Sequence, residues 1–468
     1  MFVAGLLISV VMVLRSSVGG DQLDLLARGW RWAAQGDLVP YGNPLSNGGK
    51  EPGALTSIVV GLPLFVRMDH RAPVALIWLT HLLAYLLLDR VVREGTSAPG
   101  RTLFCLFYWL NPWQLFFAGM LWNPSYLFLI GAAHLWSCWS QREGPRFWPS
   151  FVHGLALVCA LQLHPSAVIL ILASALLWWR GYVRMHWAAL LLGGALASAP
   201  LLPWWFAVRA DPGLLPGGKG FPFRNLVLVL PTLRGVFYWL RYGSFMVMGR
   251  MTTPDFTSAL GVTADAVLAP IVDWTLATVG VIGFAVTAWV TLLFAWRKAQ
   301  RRRVRRGGFL RSLGRVRSGP RSRRTWLWGY AAWTGTAALF SFAASPTTIM
   351  GWQILIALHA AVLPIVFGCE ALLRTARWRR FAVGVPAYAA VSSLLLLSMA
   401  FASPDYRCKG RRGVNIPLLA DHPMFRDLQI DARCPFPVDP ADGWWPDALP
   451  RPAGAPPAEQ PVANDPRQ

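Results

Sequence analysis

Apolar stretches long enough to enter or cross a bilayer recur through most of this 468-residue chain, and they limit its fold more than any other feature. A hydrocarbon core of about 30 Å calls for roughly 20 consecutive apolar residues in a helix. Eleven such runs are legible, at 2–15, 72–91, 103–119, 123–140, 149–163, 165–179, 187–207, 266–296, 325–343, 347–373 and 381–402. Two of these, 149–163 and 165–179, are short and are separated only by His164-Pro165. The chain is 55% hydrophobic and 14% charged, against roughly 25% charged residues in soluble domains. It reads as an all-α polytopic membrane protein of about 11 transmembrane helices. The first run has no basic segment before it, so it reads as a first span, clipped by a misassigned start, rather than a cleaved signal.

The net charge is +22, with a sequence pI near 10.9. In a soluble protein that would suggest nucleic acid, but here the basic residues gather in loops between spans, as the positive-inside rule requires. Residues 297–324 carry thirteen basic residues and no acidic one. Counting spans from that loop places 374–380, Arg90/Arg93/Arg101, Arg142/Arg146 and Arg180/Arg184 on the same, cytoplasmic side. The opposite face of a bacterial inner membrane then receives a first outer loop at 16–71, a second at 208–265 and a C-terminal tail at 403–468. The N-terminus is expected inside and the C-terminus in the periplasm. Residues 1–402 form one transmembrane domain. The tail is Pro-rich and polar, and from about Ala441 its composition is that of a disordered segment.

Cys105, Cys138, Cys159 and Cys369 lie within apolar runs, where a lone cysteine acts as a small core residue. Cys408 and Cys434 lie in the tail and are expected to pair if that tail meets an oxidising compartment. No C-x-x-C or His-rich spacing points to a metal, so no metal site and no cofactor are expected. Whether the activity depends on a divalent metal is left open by the sequence. The absence of a Gly-rich strand-to-helix unit argues against a nucleotide-sugar site.

The first outer loop is the most informative segment. Over 21–35 the apolar residues Leu23, Leu26, Ala27, Trp30, Ala33 and Ala34 share one helical face, and Asp21, Asp24, Arg28, Arg31 and Gln35 share another. This predicts a helix lying at the membrane surface, its polar stripe toward water. Asp21 suits the helix N-terminus and Asp24 can pair with Arg28 one turn on. A turn-rich loop carrying Lys50, Glu51 and Pro52 leads to an apolar stretch at 54–66, too short to span and suited to a re-entrant or surface helix. In the second outer loop, Arg234, Arg241 and Arg250 interrupt an apolar segment, which makes it an interfacial element rather than a span. For any one of these arginines, contact with lipid headgroups is the plain alternative to a binding role. His164, between two short spans at the outer side, and His81, within a span, are polar residues that could line a cavity or simply bond a neighbouring helix. Asn111 and Asn123 precede prolines and read as helix breakers and caps.

Asp21/Asp24, "ARGWRWAAQGDLVP" at 27–40, "GKEPGAL" at 49–55 and "WLNPWQLFFAGMLWNPSYLFLIGA" at 109–132 together resemble the GT-C superfamily of glycosyltransferases. The protein O-mannosyltransferases and lipid A aminoarabinose transferases are the members most alike. The resemblance covers roughly residues 1–210. The adjacent Asp-Glu of that family is here Asp21-Gln22, with the second carboxylate at Asp24, and its E-K-P-P is Lys50-Glu51-Pro52-Gly53. The resemblance implies a GT-C-like bundle with amphipathic periplasmic loop helices. It also implies inverting transfer of a sugar from a polyprenyl-phosphate donor to an envelope lipid, glycan or protein. On that reading Asp21, then Asp24, is the general base. Lys50, Arg224, Arg234, Arg241 and Arg250 are donor-phosphate ligands, and Glu51 and His164 line the cavity. A lipid-linked glycan flippase, or a GT-C-like assembly subunit without catalysis, are the rival functions. The first would need no carboxylate-bearing amphipathic loop outside the bilayer. No internal hydropathy repeat of the kind common in transporters is visible.

Overall fold

The computed structural model describes residues 1–14, 16, 21–45, 48–215, 223–245, 262–306, 322–346, 349–402, 422–428 and 449. Helices dominate. Helix α1 (Phe2–Leu14) precedes α2 (Asp21–Gln35), a small antiparallel hairpin of β1 (Tyr41–Pro44) and β2 (Lys50–Pro52), and α3 (Leu55–Val66). Then follow α4 (Arg71–Gly95), α5 (Ala98–Phe104), a π-helical turn at Cys105–Trp109, α6 (Pro112–Ala118) and α7 (Asn123–Ser140). Helices α8 (Phe147–Leu163), α9 (Ala167–Trp179), α10 (Trp187–Ala197) and α11 (Leu201–Ala210) complete the first half. The second half holds α12 (Arg224–Leu228), α13 (Leu230–Arg241), α14 (Val262–Arg306), α15 (Arg323–Ala344), α16 (Leu358–Leu373), α17 (Arg379–Ala402) and α18 (Pro423–Leu428).

Four segments are long and apolar enough to cross a membrane: Arg71–Gly95, Val267–Trp296, Gly351–Leu373 and Ala376–Met399. Two bent pairs pass the same test together, α6 with α7 at 118° and α10 with α11 at 54°. The other apolar runs fall on the shorter helices α1, α8 and α9 and on α15. Asn111 caps α6 as its sequence position suggested, its Oδ1 accepting the Trp113 amide at 3.1 Å. Asn123 is not a cap: Trp122 holds that place, and the Asn123 side chain points elsewhere.

Helix α16 is apolar on every side, and every residue from Leu358 to Glu370 is buried, as a helix without a polar face must be. Elsewhere, the pairing of α8 with α10 relies on small residues, which let backbones approach when lipid offers side chains no hydrophobic gain. Gly154 of α8 lies against the Leu190 carbonyl and Gly193 of α10 against that of Phe151, so a Cβ at either position would collide with backbone.

The connections carrying the basic residues meet at one end of the bundle. Glu370, buried there, accepts the Ser97 hydroxyl at 2.6 Å and pairs with Arg324 at 2.7 Å and Arg374 at 2.8 Å. The Arg184 amide donates to Gln141 O at 3.2 Å and the Trp326 indole to Tyr182 O at 2.8 Å, which ties in two more loops. The sequence reading passed over Glu370 because it sits in an apolar run, where an ionised side chain persists only when paired.

Candidate active site

The opposite end is built from the first outer loop. Helix α2 has its predicted extent, but its setting corrects the surface-helix reading. Residues Gln22–Trp30 are all buried, including Asp24 and Arg28 in the middle of the polar stripe, while Asp21 and Gln35 at its ends are exposed. The apolar face packs on α3 where Gly29 and Gly61 cross; a Cβ on Gly29 would come within 2.9 Å of the Gly61 amide nitrogen. The middle of the polar face meets the β1–β2 hairpin rather than water. Arg28, with 0% exposure, forms an ion pair with Asp24 and donates to Gly42 O at 2.7 Å and Tyr41 O at 3.0 Å. The pairing expected from the i, i+4 spacing is present, buried rather than exposed. The guanidinium fixes the hairpin on the helix.

That hairpin presents Glu51. Its Oε2 accepts the Asn43 amide at 3.2 Å and a hydrogen bond from the Asn123 side chain of α7. Gly42, across the hairpin, makes room: a Cβ there would sit 2.8 Å from Glu51 Oε2. Burial raises the Glu51 carboxyl well above the usual glutamate range, and Asp21 and Asp24 push it the same way, against the Asn43 amide and Arg28. Three carboxylates of one loop thus share one electrostatic site. Around it Asn43 Oδ1, Asn123 Oδ1 and Thr56 Oγ1 are buried with no hydrogen-bond partner within the described protein. Buried polar atoms of this kind are rare in folded chains and suit a polar ligand.

Asp21 stands at the rim, exposed at the start of α2, and its Oδ2 accepts the Trp122 indole at 3.1 Å. From Trp122 an aromatic wall runs along α6 and α7. Trp122 stacks on Phe117 at 5.9 Å between ring centroids, and Phe117 on Trp113 at 5.5 Å. The Arg241 guanidinium lies over the Trp113 ring at 5.1 Å and the Tyr238 ring at 4.6 Å. Arg234, two turns earlier, donates to the Tyr238 hydroxyl at 3.0 Å. Burial lowers the Arg241 pKa from its usual value, and neighbouring Arg234 adds to that. The carboxylates of the first loop and these two arginines of the second therefore flank one wall. Lys50 lies on the hairpin with its ammonium 5.9 Å from the Tyr41 ring, whose face also meets Arg28 at 5.3 Å. Asn43, Asn123 and Trp122 were missed by the sequence reading. Only the match around 109–132 pointed to their neighbourhood.

The remaining candidates divide. Arg224 begins α12, but its side chain is outside those described, and Arg250, Cys408 and Cys434 lie outside the described residues altogether, as does the tail beyond Ala441 apart from Leu449. His164 ends α8 and is held locally, its Nδ1 accepting the Ser166 amide at 3.1 Å. It shares its end of α8 with Gln162, which abuts Gly53 behind the hairpin. His81, in α4, bonds Ser125 O at 2.8 Å and packs on Phe128. A piece of the tail reaches the same end: Asp427 Oδ2 in α18 accepts the Trp30 indole at 2.9 Å, and Met424 and Leu428 are fully buried.

No protein-family profile matches the chain, and no curated protein matches it. Among solved structures, ArnT from Cupriavidus metallidurans in the apo state is similar with a TM-score of 0.50 at 13% identity, covering 86% of this chain and 75% of that one. The same protein bound to undecaprenyl phosphate gives 0.46 at 14% identity, covering 86% and 73%. The first of these likenesses is one of fold, and the architecture is a GT-C-like helical membrane bundle.

Proposed function

We propose that this chain is a membrane glycosyltransferase that moves a sugar from a polyprenyl-phosphate donor to a hydroxyl of an envelope lipid, glycan or protein. The observation that supports it most is the convergence of Asp21, Asp24 and Glu51 at one end of a GT-C-like bundle, beside an aromatic wall bearing Arg234 and Arg241. Asp21, at the rim, takes the acceptor's proton as its oxygen attacks the anomeric carbon, with inversion there. The bond to the phosphate oxygen breaks, and the charge growing on that phosphate is met by Arg241, Arg234 and Lys50. Asp24 stays paired to Arg28 and keeps the hairpin in register. Trp122, half-buried, gives the sugar ring an apolar face, with Phe117 and Trp113 stacked behind it. The bundle stands in a bacterial inner membrane with this site on the periplasmic side, because the basic loops gather at the other end.

Mass spectrometry of envelope glycolipids and glycans tests the reading. A deletion strain should lack one sugar modification, restored by the wild-type gene and not by Asp21→Asn. An unchanged glycan and glycolipid profile in the deletion strain would refute the assignment.

A further inference from the structure

The sequence reading assigned no pattern to His134, Cys138 and His153, yet the fold brings them together. His134 and Cys138 are i, i+4 neighbours on one face of α7, and His153 comes from α8. All three are fully buried, and His134 Nε2, Cys138 Sγ and a ring nitrogen of His153 lie within 4.8 Å of one another. The Cys138 sulfur is 3.8 Å from His134 Nε2 and 3.7 Å from His153 Nδ1. Zinc–nitrogen bonds of about 2.0–2.1 Å and a zinc–sulfur bond of about 2.3 Å give a tetrahedral N···S edge of about 3.6 Å. Two of the three edges between ligand atoms are therefore near the spacing that one ion would impose.

The surrounding hydrogen bonds fit the same arrangement. Ser174 gives its proton to Leu170 O at 2.7 Å, and Ser137 gives its own to His134 O at 2.9 Å. Each serine oxygen then faces imidazole nitrogens as an acceptor, Ser174 at Nε2 of both His153 and His134 and Ser137 at Nδ1 of His153, all at 2.9 Å. His153 would need a proton on both nitrogens. A cation on Nδ1 removes that demand and leaves Nε2–H to donate to Ser174. His134 has partners on both nitrogens already, Ser174 at Nε2 and Tyr330 at Nδ1; with Nε2 on the ion in place of Ser174, Nδ1–H donates to the Tyr330 hydroxyl at 2.8 Å, which in turn reaches His359 Nε2 at 3.0 Å. Metal-bound imidazoles are normally held in this way, through the nitrogen that does not bind.

We infer that His134, Cys138 and His153 form a buried metal site for one thiophilic d10 ion, Zn²⁺ or Cu⁺, with the Ser137 and Ser174 hydroxyls, each 2.9 Å from a ligating nitrogen, as the available fourth donors. A thiolate with two imidazoles selects such ions over the hard cations that prefer carboxylate and water. Binding replaces the thiol proton, which is released to solvent. The ion joins α7 to α8, and through Tyr330 and His359 it fixes α15 and α16. His134 is eleven residues along α7 from Asn123, about 16 Å at the helical rise. The site is therefore separate from the proposed active site and does not depend on that assignment. The sequence offered no sign of it because its ligands combine an i, i+4 pair with one residue from the next helix.

The test is elemental analysis of detergent-purified full-length protein, loaded with zinc or copper and freed of loose ions by a weak chelator. About one zinc or copper per chain is expected, falling to background in Cys138→Ala and His153→Gln and retained in His164→Gln. Tyr330→Phe, which removes only the outer hydroxyl, should weaken the site about tenfold or more. Replacement with Co²⁺ should give a thiolate-to-metal charge-transfer band. This measurement on the wild type decides the matter even if the variants fail to fold. Wild-type protein that retains no ion, a cobalt-loaded protein without that band, or a full complement in both Cys138→Ala and His153→Gln would each overturn the site.

Discussion

Asp21 and Asp24, three residues apart on one helix, have opposite surroundings, and their variants should separate accordingly. Asp21 is exposed at the rim, so Asp21→Asn should leave folding and donor binding intact while slowing transfer by about 10²–10⁴-fold. Asp24 is buried against Arg28. Asp24→Asn strands a buried guanidinium, and loss of one partner of such a pair costs about 3–5 kcal/mol. It should therefore lower the unfolding temperature in detergent far more than an exposed pair would allow. Equal thermal stability of the two variants would contradict the buried clamp, and normal transfer by Asp21→Asn would remove it as the base. Lys50→Ala should weaken donor binding and transfer together, because phosphate is held in both ground and transition states. Glu51 is the residue to titrate. Its carboxyl is raised by burial, so the folded state holds that proton more tightly than the unfolded chain does. The stability it contributes is complete below the ordinary glutamate value of about 4.3 and is lost as pH climbs through the raised value. Melting temperatures recorded against pH should fall across that window in the wild type and flatten in Glu51→Gln. Parallel curves would show that Glu51 is not the titrating group.

At the scale of elements, the helix over 21–35 was legible down to its first and last residues, whereas the partner of its polar face was not. Periodicity tells which side chains share a face; what that face meets depends on the chain that folds back over it. The hairpin at 41–52 escaped notice because its strands are only four and three residues long and are made of Tyr, Gly, Asn, Lys, Glu and Pro, with no alternation to read. Asn123 was misread for a related reason: the residue before a proline looks like a cap, yet here it reaches across to Glu51 from inside the first turn of α7. Helix α18 was equally hidden, a six-residue piece within a polar tail. Its docking on α2 has a consequence that limited proteolysis can read. Met424 is fully buried, and Met424→Ala removes packing worth about 2–5 kcal/mol, enough to release the segment. Cleavage between α17 and α18 should accelerate while the bundle itself melts at the same temperature. An unchanged cleavage rate would show that α18 is not held there by this contact. Cys408 and Cys434 lie on either side of α18 in the chain, 26 residues apart. A bridge between them would close a loop around the docked helix, worth about 3 kcal/mol by loop entropy. Thiol labelling of membranes prepared without reductant should leave both unreacted, and full labelling of both would exclude the bond.

Over the whole molecule, charge and geometry agree on a polarity that neither supplies alone. Counting spans from the most basic loop requires that alternate connections share a side, but it rests on every span being counted correctly. The contacts group some of these connections without any counting: Ser97, Arg324 and Arg374 all meet Glu370, and Arg184 and Trp326 draw the 141–146 and 180–184 turns to the same end. Asp21, Glu51, Trp122, Arg241 and Asp427 belong to the other end. The connections with the larger excess of basic residues thus meet at one end, and we propose, on the positive-inside rule, that this end faces the cytoplasm. Reporter fusions test this directly. Alkaline phosphatase, active only outside the cytoplasm, should be inactive when fused within 300–320 and active when fused after Ala402. The tail fusion is the more telling of the two, because Asp427 on Trp30 requires the tail and the first outer loop to share a compartment. If the 300–320 fusion is active and the tail fusion is silent, the bundle is inverted, and the site would then face a cytoplasm where the proposed periplasmic acceptor is out of reach. If both fusions are active, the helix run between them crosses the membrane an even number of times, and one of α15, α16 and α17 does not span.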